Sequence, residues 1–457
     1  MIGTIFILFL TFTALAVSII RTPERAFLGV YLPSLFLLPQ IFKMEVPGFP
    51  DVSFAQSVII PVVIVTLIRR WYQWRFSLMD LFIFGYMFVC VYSETVTDFR
   101  DEGLGRNLSA LMLMGTVGPY FLAKIMLLPS KASIAFSRRF SFLIFVCILI
   151  SLYEVRFVAN PWIKFIKAFF PGQETLWPVL FRFGLVRIGG PEIQPILYGI
   201  VIAAAILLCY WLIRNRMWNK RFRFLPALPI AKQWIILGVL VMGLLLTVSR
   251  GPWLSAFIGV LFLGVGFSRS KFKSFILRGF IVVGCGYIAF QTYLSYAELN
   301  KYYTGSEMTG NIAFRGEMNR EYTELAMQRP IWGWGSTNWP VITGIKSVDN
   351  QYLWLLLKHG LVGLFVFIAL LIVCMVRLFF RGMLSPSKYQ EDSSLAFALL
   401  GVMMTISTAL ITVYMGMQVE PLLFLIIGWS EGLVISRYGD VMRDPIAVKM
   451  RELEAKE

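Results

Sequence analysis

Hydrophobic residues run in long segments along most of the chain, and short polar segments separate them. A transmembrane helix needs about 20 mostly apolar residues, with a usual range of about 17–25. The pattern therefore predicts an all-α polytopic integral membrane protein with about thirteen transmembrane helices. The predicted spans are 2–20, 26–42, 53–68, 77–93, 107–127, 140–157, 192–213, 232–248, 253–268, 275–295, 351–376, 394–415 and 421–436.

The amino-acid composition is also typical of a protein that lies in a lipid bilayer. Hydrophobic residues make up 58% of the chain and charged residues only 15%, whereas soluble proteins carry about 45–50% and about 25%. This excludes a soluble enzyme, a secreted disulfide scaffold and a disordered chain. The five cysteines lie apart inside apolar segments, and His359 is the only histidine. We therefore expect neither a disulfide framework nor a zinc site.

The net charge of +16 comes from short basic loops, so it indicates topology rather than nucleic-acid binding. These loops alternate with acidic or mixed loops, and the positive-inside rule assigns the basic set to the cytoplasm. The N-terminus is then outside and the C-terminus cytoplasmic. Ala14-Leu15-Ala16 resembles a signal-peptide cleavage site, but residues 1–5 lack a basic residue, so we expect an uncleaved helix. The predicted outer loops are 43–52, 94–106, 154–191, 249–252, 296–350 and 416–420.

Two outer loops are too long to be simple connectors. In the first, lysines and aromatic residues between Pro161 and Phe170 fall on opposite faces, which predicts a helix lying in the membrane interface. In the second, Phe314, Met318, Tyr322 and Leu325 follow helical spacing. We divide the chain into N-terminal transmembrane helices (1–157), an outer interfacial loop (158–191), transmembrane helices with a Ser-Arg-Gly turn (192–295), a large outer loop (296–350), and C-terminal transmembrane helices with a cytoplasmic tail (351–457).

The predicted outer side carries arginines that topology does not require: Arg182, Arg187, Arg250, Arg315, Arg320 and Arg329. The planar guanidinium suits bidentate binding of phosphate oxygens. Alternatively, single arginines reach lipid headgroups or pair with carboxylates such as Glu317 and Glu321. Arg187 and Arg250 each lie in a glycine-bearing turn at a helix end, where backbone N–H groups also favour an anion. For these two residues we favour anion binding.

Five short motifs occur in order between about residues 180 and 380: Ser249-Arg250-Gly251, Arg315, Arg329-Pro330 with Gly333-x-Gly335, Asp349-Asn350-x-Tyr352-Leu353, and Gly360-x-x-Gly363. This order and spacing resembles the O-antigen ligase/polymerase superfamily. The resemblance implies a C-type, integral-membrane glycosyltransferase at the outer face of the bacterial inner membrane. It also implies a polyprenyl-pyrophosphate-linked glycan as donor and no metal or other cofactor.

The resemblance implies a role for each matching residue. Arg187 and Arg250 would hold the donor pyrophosphate, Arg250 acting in catalysis as well, and Arg315 and Arg329 would complete a positive cradle. Asn350 and Tyr352 would belong to the substrate-binding group. The ligases of the superfamily carry a histidine where this chain has Asp349. His359 lies ten residues further on, and we expect it to be a buried, hydrogen-bonded residue.

Glycosyl transfer needs a base for the acceptor hydroxyl, and Asp349 is our candidate. Its alternative role is that of the N-cap of the next helix. Glu154 and Glu192 are alternative bases, although pairing with Arg156 or Arg187 would equally explain them. The chain contains no Asp-x-Asp motif, which fits metal-independent chemistry.

Our leading hypothesis is an inverting, metal-independent polymerase of lipid-linked repeat units, making O-antigen, capsule or exopolysaccharide. A ligase that transfers glycan to lipid A-core or protein is the alternative within this class. A flippase or transporter of lipid-linked sugar is the alternative from another class, but transporters usually show internal repeats and ionisable residues near the bilayer midplane. The expected partners are lipid-linked glycans, membrane lipids and a chain-length regulator, without nucleic acid.

Overall fold

The computed structural model describes residues 2–46, 48–97, 102–127, 132–173, 178–218, 231–297, 307–345 and 347–438. α-Helices dominate these residues, as the apolar segments predict. Nine helical stretches in the described ranges are long and apolar enough to cross a membrane: Ile2–Ile20, Phe54–Gln73, Leu78–Thr97, Gly105–Met126, Ser133–Phe157, Pro195–Arg214, Lys271–Ala297, Gln351–Met383 and Ser387–Ala409. Each of the nine corresponds to a predicted span.

The other four predicted spans form shorter helices, so a count of thirteen is not established. The helices Lys232–Leu246, Arg250–Gly266 and Val419–Ile435 contain 15, 17 and 17 residues. At 1.5 Å per residue they are about 23–26 Å long, somewhat less than a hydrocarbon core of about 30 Å. The predicted span 26–42 is a broken helical stretch that ends at Phe36 and continues into a β-hairpin.

Seventeen α-helices are present in the described residues. They are α1 Ile2–Ile20, α2 Pro23–Ala26, α3 Leu32–Phe36, α4 Phe54–Arg70, α5 Leu78–Thr97, α6 Glu102–Met112, α7 Gly118–Met126, α8 Ser133–Phe157, α9 Pro161–Ile166, α10 Pro195–Arg214, α11 Lys232–Leu246, α12 Arg250–Gly266, α13 Lys271–Ala297, α14 Glu307–Ala326, α15 Gln351–Met383, α16 Gln390–Ala409 and α17 Val419–Ile435.

Short π and 3-10 turns and two small hairpins complete the secondary structure. The π turns Phe27–Tyr31 and Leu113–Val117 join α2 to α3 and α6 to α7, and 3-10 turns cover Trp71–Gln73, Lys167–Phe169, Gly190–Glu192 and Ser387–Tyr389. Both hairpins are antiparallel: β1 Lys43–Val46 pairs with β2 Phe49–Ser53, and β3 Phe181–Arg182 pairs with β4 Leu185–Val186.

Helices α10, α16 and α17 form the centre of the bundle, and most of their residues are buried. Helix α12 packs closely on α16 because both carry glycine at the crossing. A Cβ atom on Gly401 would lie 2.6 Å from the carbonyl oxygen of Gly259. Small residues allow close backbone approach between membrane helices. Helix α13 lies at the periphery and buries none of its residues.

One end of the bundle, here called the loop face, is formed by residues 37–46, 48–53, 158–173, 178–193, 247–250, 307–345, 347–350 and 410–418. Hydrogen bonds connect its loops: Lys43 N to Gln173 Oε1 (3.1 Å), Arg182 Nη1 to Val248 O (3.1 Å), Gln418 Nε2 to Leu38 O (3.2 Å) and Arg315 Nη2 to Thr412 O (3.1 Å). The predicted outer loops of this group therefore meet at a single end. Residues of the predicted basic loops meet one another elsewhere, as in the ion pair between Arg70 and Glu24.

Helix α15 is interrupted at Gly360, where φ is 65° and ψ is −167°. The interruption leaves the carbonyls of Leu357 and Lys358 to accept the N–H groups of Trp334 and Gly335, at 2.8 and 3.0 Å. A side chain at Gly360 would collide with the carbonyl of Ile331. The motifs Gly333-x-Gly335 and Gly360-x-x-Gly363 thus contact each other. This contact holds the second long outer loop against α15.

Candidate active site

Three arginines line one cavity of about 400 Å³ on the loop face. Arg250 begins α12, Arg315 lies on α14, and Arg182 comes from hairpin β3–β4. The polar lining also includes Ser249, Tyr293, Asn311 and Thr412, while the apolar lining includes Ile196, Leu254, Ala289 and Ile312. The lining of the cavity therefore combines cationic and apolar side chains.

Arg250 is placed by the tight Ser-Arg-Gly turn that the sequence predicts. Helix α11 ends at Leu246, Val248 adopts a positive φ of 46°, and α12 begins at Arg250. The guanidinium of Arg250 lies 5.4 Å from the ring of Phe183 at the tip of the β3–β4 turn. Because the first N–H groups of a helix lack partners within it, the start of α12 adds backbone donors and a positive dipole end to this cavity.

Arg187 lies behind this turn and is 7% exposed. Its Nε donates to the Thr247 carbonyl at 3.1 Å, and its Nη2 donates to Ser249 Oγ at 2.8 Å. Arg187 thus fixes the backbone that leads into Arg250. It is not among the residues that line the arginine cavity, so its predicted contact with pyrophosphate stays a prediction.

A hydrogen bond to Thr412 fixes the side chain of Arg315. Its Nη2 donates to the Thr412 carbonyl at 3.1 Å. Burial lowers the pKa of the Arg315 guanidinium; the charge of Asp349 raises it, and that of Arg182 lowers it further. Burial and a like charge both disfavour the cation here. A bound anion would offset both effects.

Asp349 lies two residues before α15 and is partly exposed, and its backbone N–H donates to Met318 Sδ at 3.3 Å. The N-cap interpretation of Asp349 is wrong, because Asn350 is the cap. Asn350 Oδ1 accepts the N–H groups of Tyr352 and Leu353 at 3.0 and 3.3 Å. Asp349 is therefore not engaged in capping, and its charge acts on Arg315 and Tyr414.

Asn350 and Tyr352 use their polar atoms within the fold. Besides the cap made by Asn350, Tyr352 donates its hydroxyl to the Ser407 carbonyl at 2.8 Å, which ties α15 to α16. Arg329 lies 4.3 Å from the Trp334 ring, beside the glycine motifs. These three residues do not line the arginine cavity, and their contact with substrate remains a prediction.

The two alternative bases do not pair with arginine as proposed. Glu154 accepts the N–H groups of Gly189 and Gly190 at 2.9 and 2.8 Å, and it holds the turn before α10. Glu192 accepts the N–H of Gln418 at 3.3 Å, and burial raises its pKa well above the usual value. Both carboxyl groups are buried, at 2% and 1% exposure, and both connect loops.

His359 is buried, as the sequence indicates. Its Nδ1 lies 2.8 Å from Ser93 Oγ, which joins α15 to α5. Next to it, Lys358 lies 4.2 Å from the Trp354 ring. His359 therefore belongs to the junction of the second long loop, and it does not line the arginine cavity.

Arg182 is the cavity residue to which the sequence analysis assigned no role. Its Nη1 donates to the Val248 carbonyl at 3.1 Å, and its charge acts on Arg315. Phe183 and Gly184 have positive φ angles of 52° and 73°, and they form the tip that turns β3 back into β4. The turn at Gly184, which follows Arg182, was the signal in the sequence that could have indicated this hairpin. The contact of the hairpin with α12 could not be predicted, because it joins residues that are far apart in the chain.

The described residues contain no group of three or more His, Cys, Asp or Glu side chains suited to a metal ion. A search among curated proteins finds no match for this chain. Residues 235–368 match the family model described as O-antigen ligase. The match covers α11 to α14 and the first half of α15, and it includes Arg250, Arg315 and Asp349. This match confirms the resemblance to that family which the sequence motifs indicate.

Proposed function

We propose that this protein is an inverting, metal-independent glycosyltransferase that polymerises polyprenyl-pyrophosphate-linked oligosaccharide repeat units. The observation that carries the proposal is the cavity shared by Arg182, Arg250 and Arg315. The O-antigen ligase domain supports the coarser statement, a glycosyltransferase-type enzyme acting on lipid-linked glycans in a bacterial inner membrane. The basic-loop pattern supports an outer position for the loop face and for the proposed active site.

The cavity has the two chemical surfaces that a lipid pyrophosphate needs. Guanidinium groups bind pyrophosphate oxygens with short, charge-assisted hydrogen bonds. Ile196, Leu254, Ala289 and Ile312 provide an apolar wall for the first isoprene units. A free sugar nucleotide has no hydrocarbon chain to contact this apolar wall.

The proposed reaction is a single displacement at the anomeric carbon of the donor. The acceptor hydroxyl oxygen forms a bond to this carbon while the bond from carbon to the pyrophosphate oxygen breaks. The bonding electrons leave with polyprenyl pyrophosphate, and Asp349 takes the proton of the hydroxyl. Because the oxygen attacks opposite the leaving group, the configuration inverts.

The arginines contribute most where negative charge develops on the leaving oxygen. Fixed donors in a site shielded from water stabilise such charge better than water does, because they need no reorganisation. Arg187 holds the turn that carries Arg250 through its bonds to Thr247 and Ser249. We assign Arg187 to positioning, and Arg182, Arg250 and Arg315 to the pyrophosphate.

The test is a transfer assay with purified protein in detergent, a polyprenyl-pyrophosphate-linked repeat unit and EDTA. The proposal expects products that form a ladder of multiples of the repeat on a gel. Arg250→Ala should abolish the ladder, while Arg320→Ala, an exposed arginine on the same helix as Arg315, should leave it intact.

Other outcomes would replace the proposal. Consumption of donor only after lipid A-core or protein is added would identify a ligase. Movement of the lipid-linked unit across a liposome membrane, without transfer to any acceptor, would identify a transporter. A ladder that disappears with EDTA would contradict the metal-independent mechanism.

A further inference from the structure

Two arginines meet at the end of the bundle that faces away from the loop face. Helix α10 runs from the loop face to Arg214, its last residue, and α12 runs from the loop face to Gly266. Helix α13 begins at Lys271 and carries Arg278 two turns further on. The positive-inside rule assigns the basic loops at this end to the cytoplasm. The proposed reaction uses neither arginine.

Arg214 and Arg278 both contact the last turn of α12. The guanidinium of Arg214 lies 5.2 Å from the ring of Phe267. The guanidinium of Arg278 packs against Gly264, where a Cβ atom would collide with it, and its Nη1 donates to the Leu261 carbonyl at 3.1 Å. Because Gly264 and Phe267 are three residues apart, they are neighbours on one face of the helix. Both guanidinium groups therefore lie at the same end of α12.

Tyr210 adds a hydroxyl group to this pair. It lies one turn before Arg214 on α10, and its ring centroid is 6.4 Å from that of Phe267. Its hydroxyl lies close enough to Arg278 to interact with the charge of the guanidinium. A tyrosine hydroxyl can donate a hydrogen bond to a phosphate oxygen. We call Tyr210, Arg214 and Arg278 the distal arginine site.

The distal arginine site has a positive charge. Within the described ranges, no carboxylate forms an ion pair with Arg214 or Arg278. Arg269 and Lys273 are exposed in the stretch of chain that joins α12 to α13 and add two further cations. The negative end of the α12 dipole offsets part of this charge. An anion bound by the two arginines would offset the rest.

The depth of Arg278 is not explained by topology. Basic residues in loops are enough to orient a membrane protein, but Arg278 lies seven residues inside α13, about 10 Å along the helix axis. A charge at this depth is costly unless it has a partner or reaches the interface. The half-buried side chain extends to Gly264, two residues before α12 ends. The guanidinium is thus brought to the edge of the bilayer and held there.

Apolar side chains continue from the distal arginine site along the outer surface of the bundle. Phe257 and Val260 of α12 are exposed, and so are Leu277 and Ile281 of α13. Both helices are apolar over this stretch, so their exposed side chains face hydrocarbon in a membrane. A lipid whose headgroup reaches the arginines can lay its acyl chains along this surface. A soluble phosphate compound cannot make these contacts.

We propose that the distal arginine site binds the phosphate group of an anionic phospholipid. Guanidinium groups donate short, charge-assisted hydrogen bonds to phosphate oxygens, and basic pockets between transmembrane helices bind anionic headgroups. A zwitterionic lipid brings a cation of its own to a positive site, so it binds more weakly. The site lies at the opposite end of α10 and α12 from the arginine cavity, and the proposal does not depend on the proposed reaction.

The first test counts lipids retained by the full-length protein. The protein in a neutral detergent is titrated with phosphatidylglycerol or with phosphatidylcholine and analysed by native mass spectrometry. We expect phosphatidylglycerol to be retained at the lower concentration. Arg214→Gln and Arg278→Gln each remove a charged hydrogen-bond donor and should weaken its retention about 10-fold or more. Tyr210→Phe removes a neutral donor and should weaken it less.

The matched control is Lys273→Gln, which removes one positive charge from an exposed position on another face of α13. It should retain phosphatidylglycerol as the wild type does. Because Arg214 is exposed, Arg214→Gln keeps the test decisive if Arg278→Gln fails to fold. Equal retention of the two lipids by the wild type would overturn the proposal. So would a loss of retention in Lys273→Gln as large as in Arg214→Gln.

Thermal melting separates a lipid site from a purely structural role. A ligand that binds only the folded state raises the melting temperature, so phosphatidylglycerol should do this for the wild type and much less for Arg214→Gln. The same shift in both proteins would show that Arg214 serves only the packing of α12, and the proposal would fail. Inorganic phosphate at the same concentration should not reproduce the shift. If it did, the ligand would be a soluble phosphate and not a lipid.

Discussion

Gly251 approaches Thr412 so closely that a Cβ atom on Gly251 would lie 2.6 Å from Thr412 Oγ1. The start of α12 and the connection before α17 are therefore so close that a methyl group does not fit between them. Through the Thr412 carbonyl, the same connection holds Arg315. This contact joins two of the three arginines of the cavity into one unit.

Gly251→Ala should damage this contact. Overpacking of a close contact costs about 1–3 kcal/mol, and here it would also displace the carbonyl that holds Arg315. We expect a lower melting temperature and reduced transfer activity. The second variant Thr412→Ala removes the Oγ1 atom, so the double variant Gly251→Ala/Thr412→Ala should recover part of both losses. Additive losses in this double-mutant cycle would contradict direct contact.

The second long loop should depend on Glu94, a residue of α5 that is 2% exposed. Its carboxylate accepts the Ser336 N–H at 2.9 Å and the Ser336 Oγ–H at 3.0 Å. Glu94→Ala leaves both donors without this partner, and an unsatisfied buried donor costs about 1–3 kcal/mol. We expect a clear loss of thermal stability in detergent. Ser336→Ala removes the hydroxyl bonds to Glu94 and Lys358 but keeps the backbone bond to Glu94, so it should cost less. An equal loss would argue against the backbone bond.

Glu192 should make the stability of the protein depend on pH. Burial raises its pKa well above the usual value of 4.5. As pH rises from about 4.5 towards the folded-state pKa, the unfolded chain releases this proton and the folded protein retains it, so stability falls. Glu192→Gln keeps an acceptor for the Gln418 N–H and removes the titration.

The measurement compares melting temperatures of wild type and Glu192→Gln from pH 5 to pH 8. We expect the variant to gain on the wild type as pH rises. Glu321→Gln, the same substitution at a partly exposed carboxylate on α14, serves as the control. A gain that is largest at pH 5 would show that ionised Glu192 stabilises the fold, contrary to its burial.

Asp349→Asn tests the assignment of the base. Because Asp349 does not cap α15 and is partly exposed, the variant should fold normally. A positioned general base contributes about 10²–10⁴-fold to a rate, so we expect kcat to fall by that order. Donor binding should be unchanged or tighter, because the negative charge beside Arg315 is gone. Weaker donor binding with an unchanged kcat would assign Asp349 to substrate placement instead.

The periodic features of the fold could be predicted from the sequence, because apolar segments and helical spacing are local. The nine long apolar helices and α14, with Met318 and Tyr322 buried, follow directly from such patterns. Gly360 was visible as a motif, but its role in breaking α15 was not. The break depends on acceptors for the N–H groups of Trp334 and Gly335, about 25 residues earlier in the chain.

The site could be predicted only in part, since it combines local turns with distant contacts. Arg250 was found because its glycine-bearing turn is local. Arg187 lies in a similar turn, yet its side chain points inward, because its Nε and Nη2 donate to Thr247 and Ser249. Arg182 reaches the cavity through hairpin β3–β4, and no spacing rule indicates that hairpin's contact with α12. The sequence analysis considered only Asp349 as the cap of α15, but the cap is Asn350, because the backbone direction there brings its Oδ1 to the N–H groups of Tyr352 and Leu353.

The most direct test of the central claim is the affinity of detergent-solubilised protein for polyprenyl pyrophosphate, measured for the wild type, Arg182→Ala, Arg250→Ala and Arg315→Ala. Charged hydrogen bonds contribute about 1.5–3 kcal/mol, so each substitution should raise the Kd by about 10- to 150-fold. The exposed control Arg320→Ala should retain the wild-type Kd. Unchanged affinity in all three cavity variants would contradict the assignment of the arginine cavity to the donor pyrophosphate.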